Sequence, residues 1–247
     1  MTALRQVRMD PPAQPRRPEP AERTEVSHNL NGQKLGRKGR ITRERILAAT
    51  VELLEESADT PISLSAVARR ASLGMTTLYI YFSDLTELLL AVLEPIRAEA
   101  ECTFIDIVRD YWTDDELETM CRRYIEAYYA FWTKHSRILH LRNNMSDQYD
   151  ERMVDARVRS AQPAIAFFRR QLMPEGVPVS VEADNMASVL MTAIERAVTV
   201  ATDPVMPALL ERKFGPRHTS VVEPLTRIIL LAIRDLRGRN AAEPAQV

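Results

Sequence analysis

The stretch Leu64–Phe82, LSAVARRASLGMTTLYIYF, constrains this chain more than any other. Leu64, Val67, Ala68 and Ala71 recur at helical spacing and give a first short helix one apolar face. Ser63 stands before them as an N-cap, its hydroxyl suited to accept from the first unbonded backbone N–H groups. Ser72-Leu73-Gly74 makes a three-residue turn, with Gly74 expected to take backbone angles that other residues resist. A second helix follows, with Leu78 and Phe82, four apart, facing inward. That leaves Met75, Thr76, Thr77, Tyr79 and Tyr81 to look outward. A short helix with hydroxyls at its start and tyrosines beyond suits a DNA major groove. Threonines reach phosphates or base edges, tyrosine hydroxyls reach phosphates, and methyl and thioether groups pack on thymine methyls.

Ser63 to Phe82, followed by Ser83 to Leu90, resembles the DNA-binding region of TetR-type regulators. The matching residues are the Ser63 cap, the Val67-Ala68 pair, Leu73 in the turn, Thr77-Leu78-Tyr79, and Phe82, with Glu87-Leu88-Leu89 opening the long linking helix. The resemblance covers residues 41–95. Beyond them only the helical pattern and the length agree. Two positions depart from the family pattern: Ser72 stands where the turn usually has Gly, and Leu85 stands where a Lys usually follows the aromatic residue. The second departure removes an expected phosphate contact.

The rest of the chain reads as all-α, about nine helices: a three-helix DNA-binding domain at 41–84 and a helical ligand-binding and dimerisation domain at 85–237. Only seven of 247 residues are Gly, strand-like alternation is scarce, and the hydrophobic share of 45% is enough for a sizeable core. The net charge of −1 argues against indiscriminate coating of nucleic acid but permits a local basic patch. Cys102 and Cys121, with no apolar leader and no run long enough to span a membrane, lead to the expectation of reduced thiols in a cytoplasmic protein. No cofactor is expected. His135 and His140 are five apart, off one helix face and without a carboxylate at ligand spacing, so no metal is expected either. No G-x-S-x-G, H-E-x-x-H or P-loop sequence is present, so the chain reads as no enzyme.

Residues 1–40 read as a disordered basic arm. Pro11, Pro12, Pro15, Pro18 and Pro20 break helices, and the segment carries a net charge of +5 against −3 for residues 41–90. Lys34, Arg37, Lys38 and Arg40, spaced by Gly36 and Gly39, can enter a minor groove next to the reading helix or simply keep the chain soluble. Thr42 is expected to cap the first helix, which runs to about Ser57, with capping or phosphate contact as its role. The residues expected on DNA are therefore Arg37, Lys38, Arg40, Thr42, Ser63, Ser65, Met75, Thr76, Thr77, Tyr79 and Tyr81.

Asp84-x-x-Glu87 is a capping box opening a helix whose Leu85, Leu88, Leu89, Val92 and Leu93 are expected to pack back on the DNA-binding domain, with Pro95 as a kink. Thr113-x-x-Glu116 reads as a second box before a helix at 115–135. That helix is rich in aromatic residues. Tyr124, Tyr128, Phe131 and Trp132 suit either a core or the wall of an apolar cavity, to which Asn144, Met145, Phe168 and Met191 are added as candidate ligand contacts. Asn143, Asn144 and Met145 mark a corner where the mouth could lie, and Glu195-Arg196 reads as an ion pair at an interface or surface, or as a ligand contact. A helix at 181–202 and another from Ser220 onward are apolar over more than one stripe, while Gly238–Val247 reads as a polar tail. In TetR-like proteins the corresponding helices form a four-helix dimer interface. The resemblance implies the same role for Val189, Ile194, Val198, Leu225, Ile229 and Ile233.

The expected partners are double-stranded operator DNA, a second copy of the chain and an apolar or amphipathic small molecule, with no membrane. A guest in the C-terminal cavity would tilt the linking helix and change the separation of two reading helices, which must stand roughly 34–36 Å apart to enter successive major grooves. The resemblance implies repression as the usual mode. The alternative is a DNA-binding dimer with no small-molecule ligand, controlled by its abundance or by a protein partner.

Overall fold

A computed structural model describes residues 30, 32–56, 61–215 and 220–242. Its regular elements are α1 (Arg37–Glu55), α2 (Leu64–Arg70), α3 (Met75–Leu78), α4 (Leu85–Ala100), α5 (Asp106–Arg109), α6 (Leu117–Lys134), α7 (Ser136–Asp147), α8 (Glu151–Gln171), α9 (Val181–Ala201), α10 (Met206–Phe214) and α11 (Val222–Ala242). A π-helical turn, Glu101–Ile105, joins α4 to α5. The all-helical expectation holds across the described residues. The expected tail before residue 30, the expected end of the first helix at Ser57, the stretch 216–219 and the end of the chain from 243 lie outside them.

Two apolar cores adjoin. The head core joins Ile46, Ala49 and Leu53 of α1, Val67 and Ala68 of α2, Leu78, Phe82 and Leu88. The body core takes in α6, α8, α9 and α11 and starts, within α4, at Leu89, Val92 and Leu93. Only Leu88 of the α4 leucines expected on the DNA-binding domain is in the head core. Adjacent residues Leu88 and Leu89 point into different cores, so α4 belongs mechanically to both halves.

Caps explain most helix starts. Ser63 Oγ accepts from the Ala66 N–H at 3.2 Å. Asp84 Oδ1 accepts from the Glu87 N–H at 2.9 Å, while Glu87 Oε2 accepts from the Ser83 N–H at 2.7 Å. Ser180 caps α9 through the Ala183 N–H at 3.1 Å. The Thr113 box forms only half: its N–H donates to Glu116 Oε1 at 3.5 Å, Thr113 caps nothing, and α6 starts at Leu117 with Glu116 before it.

The first helix begins five residues before Thr42, a correction with a tertiary cause. Leu35 is 7% exposed and the Leu30 N–H donates to Ile80 O at 3.1 Å, so these two residues dock on the head ahead of α1. Gly39 makes room for this: a Cβ there would meet Leu35 Cδ2 at 2.9 Å. Thr42 therefore lies inside the helix, its hydroxyl donating back to Lys38 O at 3.0 Å. Arg37, Lys38 and Arg40 occupy the first turn of α1, not a flexible arm. At the other end of the chain, Gly238 is inside α11, which continues to Ala242.

The turn between α2 and α3 places the unusual backbone two residues before the expected one. Gly74 sits at φ −74°, ordinary extended backbone, whereas Ser72 sits at φ +53°. The Ser72 N–H donates to Arg69 O and the Leu73 N–H to Ala68 O, which closes α2 in the pattern that favours Gly at this position. Ser72→Gly is expected to raise stability by about 0.5–1 kcal/mol, relief of the left-handed strain being partly offset by the looser unfolded chain. Thermal melting should show a rise of roughly 1–4 °C. An unchanged or lower midpoint would mean that the Ser72 side chain contributes something that glycine lacks.

Candidate nucleic-acid interface and effector cavity

Leu78 and Phe82 are 0% and 1% exposed, and they fix the roll of α3 on the head. With that face turned inward, Thr76 is exposed, Tyr79 is 50% exposed, and Met75, Thr77 and Tyr81 are half-buried. One side of Tyr81 is taken by α1, its hydroxyl being 3.7 Å from the position of a Cβ on Gly39. Ser65 is exposed and its hydroxyl lies 3.1 Å from that of Ser63. The groups that Ser65, Thr76 and Tyr79 leave open are thus hydroxyls and one phenol, which donate to and accept from phosphates and base edges.

Positive charge flanks this surface on α1. Arg37, Lys38, Arg40 and Arg45 are exposed, and the first turn of α1 contains no acidic residue. Cations at a helix N-terminus oppose the helix dipole, so the first turn stands better with an anion beside it than without one. Two other arginines of the head are already engaged within it. Arg43 lies 5.2 Å over the Phe82 ring, where burial lowers its pKa, and Arg70 is bound to Glu52 and Glu56. Leu85 has no charge to offer a phosphate, and the start of α1 supplies cations on the same head.

Besides the shared helix α4, the α7–α8 hairpin ties the head to the body at two places. Arg137 Nη1 donates to Leu53 O at 2.6 Å and Glu56 O at 2.9 Å, closing the C-terminal end of α1. At the hairpin tip, Asp150 Oδ2 accepts from Thr86 Oγ1 at 2.7 Å, and Arg152 Nη2 donates to Asp84 Oδ2 at 3.1 Å. The Thr86 hydroxyl holds the Asp150 carboxyl below its usual range. The sequence offers a ligand mouth at Asn143, Asn144 and Met145, which lie inside α7 just before this tip. Instead the tip docks on α4, with Tyr149 in the left-handed region at φ +63°.

A small cavity of about 110 Å³, open on one side, lies in the body between α4, α6, α7, α8 and α9. Of the expected ligand contacts, Tyr128, Phe131, Trp132 and Met191 line it. Tyr124 and Phe168 do not: both are fully buried, packed edge to face at 4.8 Å, with the Tyr124 hydroxyl 3.6 Å from Met191 Sδ. Asn144 is exposed and bonded to Gln148 at 3.1 Å, and Met145 packs against the body core, so neither reaches the cavity. Phe104, from the π-helical turn, completes the aromatic wall, its ring 4.9 Å from Tyr128 and 5.1 Å from Phe131.

At the polar end of this cavity the sequence offers Glu195 as a possible ligand contact but not its two arginine partners. Arg142, Arg157 and Glu195 converge there from α7, α8 and α9. Glu195 bonds to Arg142 at 3.2 Å and to Arg157 at 3.3 Å, while Arg196 is exposed, so the expected Glu195-Arg196 pair does not form. Residues one apart on a helix do not face each other, a rule that points away from that pair. Burial, with Glu195 beside it, pushes the Tyr128 phenol well above its usual range, so it stays a neutral donor.

Five of the six residues expected at a dimer interface are part of the chain's own core. Ile194, Val198, Leu225, Ile229 and Ile233 are 0–5% exposed. Val189, 64% exposed, is the exception. The open apolar positions on these helices are Val181, Val189, Ile228 and Leu231. Apolar stripes on two faces are legible in the sequence, but which stripe packs inward depends on α6 and α8, against which these helices sit.

Among the described residues no group of three or more His, Cys, Asp or Glu side chains is placed to hold a metal. No helix among them is long and apolar enough to cross a membrane. Both cysteines are free, and burial pushes the Cys121 thiol up to about 12.

No family model matches the chain, and no curated protein matches it. Solved structures similar to it include a TetR family transcription regulator from Marinobacter aquaeolei VT8, at 18% identity over 77% of this chain and 94% of that one, with a TM-score of 0.48. Another is the fatty acid degradation regulator FadR from Bacillus halodurans, at 12% identity over 80% of this chain and 97% of that one, with a TM-score of 0.49. The helix-turn-helix motif quoted from the sequence carries the likeness on its own residues, and what this chain resembles is the TetR family of transcription regulators.

Proposed function

We propose that this chain regulates transcription as a homodimer, gripping double-stranded operator DNA with one reading helix from each copy. It acts in the cytoplasm as a repressor, and a hydrophobic or amphipathic small molecule in the body cavity releases it. The observation that carries this reading is the roll of α3. Leu78 and Phe82 are buried, which leaves Thr76 and Tyr79 open beside the cationic first turn of α1. The effector half rests on the cavity and on the hairpin that lines it: Arg142 and Arg157 face the guest from the same two helices whose Arg137 and Asp150 hold the head. A guest that shifts α7 against α8 shifts both ties at once, a route alongside the tilt of α4. By linkage, DNA weakens guest binding by the same factor.

Tyr79→Phe and Thr77→Ala should each weaken operator binding by about tenfold, the loss of roughly one hydrogen bond to a phosphate or base. Gel-shift titration, using fragments captured by the protein from its own genome, measures this, with sizing to show unchanged mass. Unchanged affinity in both variants would remove α3 from the groove. Neutralising Arg37 and Lys38 together to Gln should lower the slope of log affinity against log salt by about 1.8, since each phosphate contact contributes about 0.9. A slope equal to that of the parent would put the start of α1 away from DNA. A dimer that binds operator normally but has no measurable response to any apolar guest would favour control by abundance or a protein partner.

A further inference from the structure

The polar end of the cavity holds more positive charge than it neutralises. Two guanidiniums share one carboxylate there: Arg142 Nη2 reaches Glu195 Oε1 at 3.2 Å, and Arg157 reaches both Glu195 oxygens at 3.3 Å. Arg157 also bonds to Asp147 at 3.0 Å, but that carboxylate is 72% exposed and its charge is spent largely on water. Arg142 is 6% exposed. Its Nε and Nη2 are committed to Asn143 and Glu195, while its Nη1 makes no hydrogen bond among the described residues. Arg97 and Arg159 also line the cavity, at more exposed positions and each paired with a carboxylate of its own helix, Glu94 and Asp155.

We infer that the guest is a monoanionic amphiphile with a carboxylate head, bound between Arg142 and Arg157, and with an apolar body laid along Phe104, Phe131 and Ile165. This deepens the effector reading and rests on it. A planar carboxylate suits guanidinium donors, and one negative charge matches the second guanidinium charge that Glu195 alone does not neutralise. A cationic guest finds no equivalent seat. The Trp132 face that would receive it already holds the Arg142 guanidinium at 5.7 Å, and the one buried carboxylate is occupied by both arginines.

The test uses the full chain and three probes with the same ten-carbon tail: decanoate, decan-1-ol and decyltrimethylammonium, titrated calorimetrically below their micelle concentrations. Decanoate should bind about tenfold tighter than either other probe, the effect of one charge-assisted hydrogen bond. Arg157→Gln, at a half-exposed position, should keep the melting midpoint and lose most of that preference. Arg142→Gln, at a buried one, is the second variant. Equal or tighter binding of the ammonium probe, or a preference undiminished in both variants, overturns the carboxylate assignment while leaving a guest-binding cavity in place. Failure of all three probes to bind removes the cavity's effector role itself, and the assignment with it.

Discussion

Ile229→Glu is expected to unfold the chain, not to divide a dimer. Ile229 is 0% exposed in the body core, where α11 packs on α6 and α9. The substitution removes a buried aliphatic side chain and puts a carboxylate into an apolar cluster. The first loss costs about 2–4 kcal/mol on the scale of large-to-small core changes, and burial of the polar group adds to it. Against a total stability of roughly 5–15 kcal/mol, the variant should lose most of its cooperative melting transition or melt more than about 10 °C lower. Circular dichroism melting with sizing checks this. Leu231→Glu, two residues along and 49% exposed, is the contrasting change. It should leave the melt of the isolated fold nearly unchanged and shift the mass towards that of one chain. If Ile229→Glu gave a well-folded single chain and Leu231→Glu a normal dimer, the inner and outer faces of α11 would have to be exchanged.

That contrast marks the limit of what the residues disclose by themselves. Features set by neighbours along the chain were legible: the Ser63 and Asp84 caps, the turn at 72–74 and the inward Leu78–Phe82 pair all depend on residues within a few positions of one another. Features set across the fold were not. The start of α1 depends on Leu30 docking on Ile80, fifty positions away, and no cap residue announces it. The aromatic stripe of α6 was visible, but a single helix cannot say which rings meet empty space. Tyr128 and Phe131 line the cavity, while Tyr124, one turn before, is closed off by Phe168. The polar end of the cavity was the least legible part. Arg142, Arg157 and Glu195 lie on three helices, and a lone charge on a helix reads by default as a solvated one.

Glu195→Leu should be the second most damaging single change, and its rescue is more informative than the damage. Removing the carboxylate leaves Arg142 buried with only the Asn143 amide oxygen as acceptor and deprives Arg157 of its inner partner. Breaking one side of a buried ion pair costs about 3–5 kcal/mol, because the remaining charge stays desolvated and unpaired. Glu195 is 17% exposed, so some water reaches the site and the lower end of that range applies. Replacing both partners, Arg142→Leu with Glu195→Leu, removes the uncompensated charge and should recover most of the lost stability, as buried pairs exchanged for apolar residues often do. Chemical denaturation of the two single variants and the double variant measures the coupling. Losses that simply add would mean that the two side chains do not depend on each other, and the charged end of the cavity would have to be redrawn without their bond.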